Sequence, residues 1–315
     1  MGNKCACIGQ SITSLSDKNE ICSTEEKFRP NEETAPIQET TTEDHPQVFI
    51  DSITLISPNE RVRITEQKIG MFKFSPADGF ESIQTVVEYL PNKCMFIGQK
   101  DSNGSKCGRG VFLWTDGSKY TGYWNMDRAN GVGRLIHADG DVYEGEWVND
   151  KAHGKGRYIH FNGAVYEGEW IFDQQEGEGI EFWPDGAKYS GSYKSGKKHG
   201  KGEFRWSDGS VYTGDFVENR IEGKGKYSWK EGRKYVGGWR NNKMEGEGVF
   251  EWPDGRNYKG EYVNDKKEGY GEYYWPNGRS YKGMWRLGKQ HGWGVLRDQH
   301  GQLRQGEWDM GKKVE

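Results

Sequence analysis

Hydrophobic and polar positions alternate along the C-terminal two thirds of the chain, and one stretch shows the pattern in full. In Gly246–Tyr262, glycine and aromatic residues occupy alternate positions on both sides of Pro253-Asp254-Gly255, and mostly charged residues lie between them. A period of two predicts β-strands with one aromatic face and one polar face. Pro, Asp and Gly in this order favour a type I turn that ends in a left-handed residue. The stretch is therefore predicted to be a β-hairpin with a three-residue loop.

The loop length also predicts the register of this hairpin. Phe250 is expected opposite Tyr258, and Gly248 opposite Gly260. Side chains alternate across a strand, so these four residues share a face with Trp252. A two-residue loop is the weaker alternative, because it would divide the aromatic residues between the two faces. A single hairpin cannot bury such a face, so neighbouring hairpins are expected to cover it.

The same pattern recurs with a period of 23 residues. The tyrosine column contains Tyr120, Tyr143, Tyr166, Tyr189, Tyr212, Tyr235, Tyr258 and Tyr281. A glycine follows each tyrosine by two positions, and an aromatic residue follows it by four. One turn column places a glycine at the position of Gly255, and a second consists of residues that tolerate the left-handed conformation. This second column contains Asp127, Asp150, Asp173, Gly196, Asn219, Asn242, Asp265, Gly288 and Gly311. Two turns per period mean two strands per period.

A period this short and regular is typical of a repeat array in which each unit covers its neighbour. The predicted fold class is all-β, an elongated single-layer antiparallel meander of about nine or ten stacked β-hairpin repeats. The array is predicted to cover residues 88–315. Neighbouring strands lie about 4.8 Å apart, so two strands per repeat predict a length on the order of 90 Å.

The repeat sequence resembles that of a known family. The run Tyr143–Gly156 (Tyr-Glu-Gly-Glu-Trp-Val-Asn-Asp-Lys-Ala-His-Gly-Lys-Gly) is similar to the MORN repeat, named for membrane occupation and recognition nexus. The resemblance extends over residues 88–315 and weakens at both ends, as expected of terminal repeats that cap an array. It implies a protein that organises membrane–cytoskeleton junctions, the cell cortex, or cilia and basal bodies. It also implies, as an alternative, the recognition of anionic lipid head groups.

The first nine residues are a second informative stretch. Gly2 follows the initiator methionine and is a candidate for N-myristoylation, and Cys5 and Cys7 are candidates for S-palmitoylation. The sixth position is alanine, where the usual pattern has Ser or Thr. One myristoyl chain gives only marginal binding, and residues 1–50 contain four Lys or Arg against nine Asp or Glu, so the thiols would supply the second signal. Residues 1–9 are interpreted as an acylated membrane anchor, with an unmodified terminus as the alternative.

Two further segments precede the array. Residues 10–47 are rich in Ser, Thr, Glu and Pro, a composition that predicts a disordered acidic spacer. Apolar residues return between 48 and 87, and this region is interpreted as an irregular N-terminal cap. The cap is expected to cover the first open edge of the sheet, which would otherwise recruit other strands. A helix around residues 80–87 is one form that it could take.

Composition and charge narrow the range of functions. The formal net charge of −4 argues against non-specific nucleic-acid binding. The five cysteines lack the spacing of a disulfide framework, and no secretory signal is present, so a reducing compartment is expected. No apolar run approaches the roughly 20 residues that a membrane-spanning helix needs. The expected location is the cytosol or the cytosolic face of a membrane.

Tryptophans next to the hairpin loops are the candidate protein-binding surface. Where neighbouring repeats leave the rings uncovered, a partner peptide could lie across them. The alternative, more frequent for any single ring, is that these side chains belong to the core. The six residues are Trp114, Trp183, Trp206, Trp229, Trp252 and Trp275.

Lysines near the second turn are candidate contacts for anionic lipid. They are Lys151, Lys155, Lys197, Lys198, Lys201, Lys266 and Lys267. Acidic residues such as Glu176 and Glu245 interrupt this set. Phosphoinositide binding is therefore the weaker hypothesis.

No set of residues suggests catalysis, and no cofactor or metal is expected. His153, His199 and His291 occupy one column in different repeats, so they cannot converge on one metal ion. No nucleophile and base pair stands apart from the repeat columns, and a non-enzymatic protein is predicted. Three functions are consistent with the sequence. They are a protein-binding scaffold that could also self-associate, a lipid-binding module or regulator of lipid signalling, and an axonemal or radial-spoke component.

Overall fold

The computed structural model describes residues 55–76, 78–80 and 84–314. The predicted acylated anchor and the predicted spacer lie outside this part of the chain, so they remain predictions. The three acylation candidates, Gly2, Cys5 and Cys7, lie outside it as well.

The described residues form one α-helix and 21 β-strands. The helix α1 is Glu60–Ile69. The strands are β1 (Thr85–Tyr89), β2 (Met95–Lys100), β3 (Lys106–Leu113), β4 (Lys119–Asn125), β5 (Arg128–Ile136), β6 (Val142–Val148), β7 (Lys151–Ile159), β8 (Val165–Ile171), β9 (Gln174–Phe182), β10 (Lys188–Lys194), β11 (Lys197–Arg205), β12 (Val211–Val217), β13 (Arg220–Ser228), β14 (Lys234–Arg240), β15 (Lys243–Glu251), β16 (Asn257–Val263), β17 (Lys266–Tyr274), β18 (Ser280–Arg286), β19 (Lys289–Arg297), β20 (Leu303–Asp309) and β21 (Lys312–Lys313).

The chain divides into two compact units. The described part of the N-terminal unit comprises residues up to 163 and 170–174, and that of the C-terminal unit comprises 164–169 and 175–314. In the N-terminal unit, β1 to β7 pair in sequence order, each antiparallel to the next. In the C-terminal unit, β9 to β21 do the same. Each unit is thus the antiparallel meander of hairpin repeats that the sequence predicts.

The predicted hairpin loop and register are confirmed in β15 and β16. Phe250 pairs with Tyr258, and Gly248 with Gly260. The amide of Gly255 donates to the carbonyl of Trp252 at 3.0 Å, which closes the turn, and Gly255 has φ +87°. That angle is in the left-handed region, where glycine lacks the Cβ clash.

The second turn, which links β16 to β17, contains two left-handed residues. Asn264 and Asp265 have φ +48° and +66°, and the other eight members of the predicted column also have positive φ. The carboxylate of Asp265 accepts a hydrogen bond from the amide of Met244 at 2.8 Å, one repeat earlier. Asp265 therefore adopts the left-handed conformation of the turn and also joins adjacent repeats through its side chain.

The glycine pairs have a role that the sequence analysis did not predict. The register between β16 and β17 shifts after Gly260, because β17 contains a bulge at Gly269 with φ +59°. The second glycine of that pair, Gly271, lies opposite Gly260 in the sheet. A Cβ on Gly260 would lie 2.6 Å from the Cα of Gly271, closer than side chains tolerate. One glycine thus forms the bulge, and the other lets two strands meet beneath a ring.

The ring above these glycines is that of Tyr258. Its hydroxyl donates to the carbonyl of Glu261 at 3.1 Å. The Tyr258 ring meets Tyr262 of its own repeat and Trp285 of the next repeat edge to face, each at a centroid distance of 5.3 Å. Tyr258 is fully buried. This confirms that each repeat covers the rings of its neighbour.

The segment before β1 departs from expectation. Val62 of α1 is fully buried against Ile136 and Val142, and Leu55 packs on the apolar side chains of β2 and β3. Residues 55–76 therefore cover one face of the sheet and not its first edge. The physical reason is that this face is apolar in the first repeats, so a covering segment removes it from water. Residues 85–89 form β1, which replaces the helix considered around residues 80–87.

The sequence around α1 explains where the helix begins and ends. The side chain of Asn59 accepts hydrogen bonds from the amides of Arg61 and Val62, as an N-cap does. The helix ends at Gly70, whose φ of +76° favours glycine. No helix in the described part of the chain is long and apolar enough to cross a membrane.

Candidate interaction surfaces

The face of the C-terminal unit that contains the Tyr258 ring carries a continuous row of tilted, stacked rings, which we call the ring ladder. Successive centroids in the ladder are 4.3–5.7 Å apart. Its members, in order, are Trp183, Phe204, Trp206, Tyr227, Trp229, Phe250, Trp252, Tyr273 and Trp275. Close ring contacts of this kind contribute on the order of 1 kcal/mol each beyond simple burial.

The ladder contains five of the six tryptophans predicted to bind a partner. Trp206 is buried and the other four are half-buried. Trp114, in the N-terminal unit, is also half-buried and packs on Phe112 at 4.7 Å. Arg233 and Arg256 lie over the rings of Trp229 and Trp252, at 5.2 and 5.5 Å. These contacts favour the core alternative, since the ring faces are already occupied by other side chains of the protein.

Lys198, one of the predicted lipid contacts, lies inside this face. Its ammonium is 2.6 Å from the carboxylate of Glu181, and the two side chains are 1% and 2% exposed. The same ammonium lies 5.0 Å from the centre of the Trp183 ring. Lys198 therefore presents no charge at the surface. The pair forms because a buried ammonium requires a buried counter-charge.

Lys267 also lies among aromatic rings, two of which belong to the ring ladder. Its ammonium lies over four rings, those of Tyr273, Trp285, Tyr258 and Trp252, at 4.3, 4.7, 4.9 and 5.2 Å. Burial, and in second place the positive charge of Arg256, lower the pKa of Lys267 to about 8. The ammonium of Lys267 therefore faces aromatic rings, and its role as a lipid contact stays a prediction.

The remaining five predicted lipid contacts are exposed. Lys151, Lys155 and Lys266 point to solvent, as do Lys197 and Lys201. Lys201 forms an ion pair with Asp215, and the ammonium of Lys197 is 3.8 Å from Glu218. Two of these five exposed lysines, Lys197 and Lys201, thus already have acidic partners.

The opposite face of the C-terminal unit is lined by polar and aliphatic side chains. One row of directly paired residues crosses five neighbouring strands in the order Lys226, Val236, Val249, Lys259 and Glu272. This row lines a groove of about 1180 Å³. We call this surface of the C-terminal unit the open face.

Large apolar side chains are exposed on the open face. Val236 and Tyr270 are each 52% exposed, Met284 is 42% exposed and Trp293 is 58% exposed. Tyr270 lies directly opposite Met284 in the sheet, and Trp293 is on the next strand, β19. Exposed apolar groups that lie side by side and are flanked by charges mark an interaction surface more often than scattered ones do.

In the N-terminal unit the corresponding face is occupied by the chain itself. The guanidinium of Arg134, in the same column as Glu272, donates to the carbonyl of Gly70 at 2.6 Å. Lys119 donates to Glu66 of α1 at 2.6 Å. The face thus binds a short amphipathic helix and its flanking residues in one unit.

An ion pair joins Asp78, which follows this segment in the chain, to Arg109 of β3. Its carboxylate accepts two hydrogen bonds of 2.8 Å from Arg109 and a short one from the hydroxyl of Tyr123. Burial acts to raise the pKa of Asp78, but the hydrogen bonds from Arg109, Tyr123 and the amide of Phe80 outweigh it and lower the pKa to about 2. Asp78 is therefore an anion that joins residues 78–80 to β3 and β4.

One protein family matches the sequence over most of the array. The MORN-repeat family model matches nine segments, 102–119, 120–142, 143–165, 166–188, 189–211, 212–232, 235–255, 258–278 and 281–299. The chain belongs to the MORN-repeat family. A MORN-repeat protein is a repeat scaffold for interaction with proteins or membranes, which agrees with the surfaces described above.

Two exposed residues of this MORN array were not predicted from the sequence, although a signal for them exists. The middle residue of each Gly-x-Gly pair faces the open face, and in the preceding four repeats this position is Glu178, Lys201, Lys224 and Glu247. The last two repeats have Tyr270 and Trp293 at the same position. The change from charged to aromatic residues within one column could have identified them.

Solved structures with similar strand arrangements are distant from this MORN protein. The TCP10 domain of Danio rerio CPAP, in complex with a peptide of Danio rerio STIL, is 11% identical, covers 71% of this chain and 100% of its own, and has a TM-score of 0.38. The Drosophila melanogaster SAS-4 (dCPAP) TCP domain, in complex with a proline-rich motif of Ana2, is 13% identical over 62% of this chain and 98% of its own, with a TM-score of 0.32. These values are too low to bear on function. No curated protein matches the sequence.

Proposed function

We propose that this MORN-repeat protein is a non-catalytic scaffold whose open face binds an amphipathic helix of a partner protein. The observation that carries the proposal is the exposure of Tyr270, Met284 and Trp293 side by side on this face. Aromatic and methionine side chains are enriched in protein interfaces, where they supply contact area. Their exposure would be unfavourable on a surface with no partner.

The helical form of the partner is suggested by α1. On the corresponding face of the N-terminal unit, α1 buries Val62 against the sheet and pairs Glu66 with Lys119. The open face offers the same combination, with Val236 and Val249 between charged residues. A helix with apolar residues on one side and both charge signs beside them would complement this row.

We further propose that the scaffold acts at the cytosolic face of a membrane, held there by acyl groups on Gly2, Cys5 and Cys7. The support is the N-terminal sequence alone, together with the need for two membrane signals. Location at a membrane–cytoskeleton boundary, a cilium or the cell cortex follows from family resemblance. The axonemal alternative differs from this proposal only in location.

The phosphoinositide-binding alternative receives less support. Two of its seven candidate lysines, Lys198 and Lys267, lie among aromatic rings, and Lys201 is paired with Asp215. A lipid head group needs several unpaired cations on one exposed patch. The open face mixes lysine and glutamate along the same row, which suits a protein partner better.

Site-specific photo-crosslinking in cells tests the protein-binding proposal. A photoreactive amino acid replaces Met284 on the open face of the full-length protein, and crosslinked peptides are mapped by mass spectrometry. We expect crosslinks to partner segments with a helical apolar periodicity. The same substitution at Met126, which is 76% exposed on a turn of the N-terminal unit, is the matched control.

A second variant shows whether the crosslinked partner uses the open face. Trp293→Ser in the Met284-labelled protein should reduce crosslinking about tenfold, the effect of losing one aromatic contact of about 1.4 kcal/mol. Equal crosslinking from Met284 and Met126, or no effect of Trp293→Ser, would show that the open face is not the binding site.

The membrane anchor is tested by fractionation. Gly2→Ala, or Cys5→Ser together with Cys7→Ser, should move the protein from the membrane pellet to the soluble fraction, because each variant removes one of the two membrane signals that stable anchoring requires. Unchanged pelleting of both variants would remove the anchor from this account and leave the open-face proposal in place.

A further inference from the structure

The strand β1 forms the first edge of the sheet in the N-terminal unit. Among the described strands, it pairs only with β2. Residues 55–76, which were expected to cover this edge, lie on a face of the sheet instead. An uncovered edge presents amides and carbonyls that recruit another strand. Within the described part of the chain, β1 therefore lacks the cover that the sequence predicted.

The pairing of β1 with β2 shows which of its backbone groups point outward. The amide of Leu90, directly after β1, donates to the carbonyl of Cys94 at 2.9 Å, so the backbone of Leu90 points toward β2. Residues of an antiparallel strand alternate between the two sides in this respect. The alternate residues Thr85, Val87 and Tyr89 therefore direct their amides and carbonyls away from β2.

An apolar row of side chains ends at this edge without being covered. Val111, Ile97 and Val87 are directly paired across β3, β2 and β1. Val111 and Ile97 are 5% and 4% exposed, whereas Val87 is 51% exposed. In the neighbouring row, Tyr89 is 79% exposed. Another strand beside β1, with an apolar residue opposite Val87, would extend the buried row by one member.

The sequence of β1 contains none of the usual protections of an edge strand. Its residues, Thr-Val-Val-Glu-Tyr, include no proline or lysine, and its register with β2 has no bulge. Four of the five are β-branched or aromatic, the types that favour strands. The charge of Glu88 is already paired with Lys100 at 2.8 Å. β1 is thus well suited to accept a further strand.

The last strands of the C-terminal unit differ in this respect. The strand β21 consists of two lysines, Lys312 and Lys313, which pair with Trp308 and Asp309 of β20. A very short edge strand that carries lysines resists pairing with other chains. The contrast favours association through two β1 strands over head-to-tail association of β1 with β21. Association of like with like closes at a dimer, whereas head-to-tail association extends into a filament.

We propose that β1 is the interface of a homodimer, in which the β1 strands of two copies pair antiparallel about a two-fold axis at Val87. In this register Val87 lies opposite Val87 of the second copy, and Thr85 lies opposite Tyr89. All three outward-pointing residues then exchange backbone hydrogen bonds. A register shifted by two residues would leave one of them without a partner.

Side chains are compatible with this axis. The row that ends at Val87 meets the same row of the second copy, so both valines are buried. Glu88 lies opposite Val86 of the second copy, and no like charges in β1 face each other directly. The interface uses residues of β1 only, so the dimer is independent of the open face and of its proposed partner.

Sedimentation velocity of the full-length protein in reducing buffer, between about 1 and 100 µM, tests the proposal. We expect the mass to rise from 36.1 kDa toward twice that value with concentration. Val87→Lys places two lysines opposite each other and should weaken dimerisation about tenfold or more. Val87→Pro removes an amide that does not bond to β2, and should have the same effect while leaving the edge strand in place. A protein that stays monomeric at about 100 µM would overturn the proposal.

A mixing experiment tests the two-fold axis itself. Val87→Lys and Val87→Glu should each be monomeric, and an equimolar mixture should form a heterodimer, because opposite charges then meet at the axis. Leu303→Lys, on β20, and Trp293→Ser, on the open face, are exposed control changes that should leave dimerisation unaltered. A mixture that remains monomeric would overturn the axis at Val87. Loss of the dimer in either control, with Val87→Lys still dimeric, would overturn the assignment to β1.

Discussion

The ammonium of Lys198 lies 2.6 Å from the carboxylate of Glu181, and both side chains are almost completely buried. Lys198→Met leaves Glu181 without a counter-charge, so we expect the free energy of unfolding to fall by about 3–5 kcal/mol. Chemical denaturation followed by tryptophan fluorescence measures the change. As a matched control, Lys201→Met removes an exposed pair and should cost less than about 1 kcal/mol.

Replacing both members of this pair should recover most of the loss. The next repeat places Ile221 at the lysine position and Phe204 at the glutamate position, so Lys198→Ile with Glu181→Phe recreates a combination that the chain already uses. The hydroxyl of Tyr193, which donates to Glu181 at 3.0 Å, would lose its acceptor at a cost of about 1 kcal/mol. A double variant as unstable as Lys198→Met alone would contradict this account.

Lys267→Met should have the opposite effect from Lys198→Met. The pKa of Lys267 is lowered to about 8 from 10.5, so the unfolded chain binds this proton more tightly than the folded protein does. Stability should therefore rise with pH between about 8 and 10.5, and the cost of the charged form is fully present below about pH 8. Lys267→Met should raise the free energy of unfolding by about 2 kcal/mol at pH 7.

The pH dependence provides the check on Lys267. Denaturation midpoints of the protein and of Lys267→Met should converge as the pH rises past 10.5, because Lys267 then loses its charge in the unfolded chain as well as in the folded protein. A constant difference between pH 7 and 10.5 would mean that packing, and not charge, accounts for the effect.

Gly271→Ala should destabilise the C-terminal unit through a clash with Tyr258. A Cβ on Gly271 would lie well inside van der Waals contact of that ring, which is itself fixed by the hydrogen bond to Glu261. We expect a loss of about 3 kcal/mol in denaturation experiments. Gly186→Ala, at φ +89° with open space around it, isolates backbone strain and should cost about 1 kcal/mol. Equal losses in both variants would argue against the ring contact.

Acid should loosen the contacts around Asp78 in the N-terminal unit before the sheet unfolds. The pKa of Asp78 is lowered to about 2 in the folded protein from an ordinary value of 3.8, so its contribution is complete above about pH 4 and is lost as the pH falls toward 2. Amide hydrogen exchange of Phe80, whose amide donates to Asp78 at 3.0 Å, should accelerate relative to β5 between pH 5 and 2, after correction for intrinsic rates. Asp78→Asn should show the faster exchange already at pH 5, whereas Asp116→Asn, in an exposed loop, should not.

Much of the repeat geometry could be predicted because it depends on neighbours in sequence. The pairing of Phe250 with Tyr258 follows from the length of one loop, and the left-handed residues of the second turn follow from their chemical types. The placement of Tyr270 and Trp293 on the open face was equally accessible from the column to which they belong. These properties need only the period and the alternation of side chains.

The course of residues 55–76 and the environments of the two buried lysines required the structure. Composition indicated that the N-terminal segment covers part of the sheet, but either a face or an edge of a sheet can be covered. Only the packing of Val62 against Ile136 and Val142 shows that the segment lies on a face. Lys198 and Lys267 have the same sequence position within their repeats. The residue 17 positions earlier, two strands away in the sheet, decides that Lys198 meets the carboxylate of Glu181 and that Lys267 meets rings.

The amino-acid sequence by itself determined the family, the hairpin repeat, its register and the face on which each side chain lies, because each depends on local backbone preferences repeated every 23 residues. The tertiary structure decided which of the two faces stays open, where the chain covers itself and which charges are buried. Those outcomes depend on contacts between residues distant in sequence, and a charged side chain carries the same formal charge whether its neighbour is water, a carboxylate or an aromatic ring.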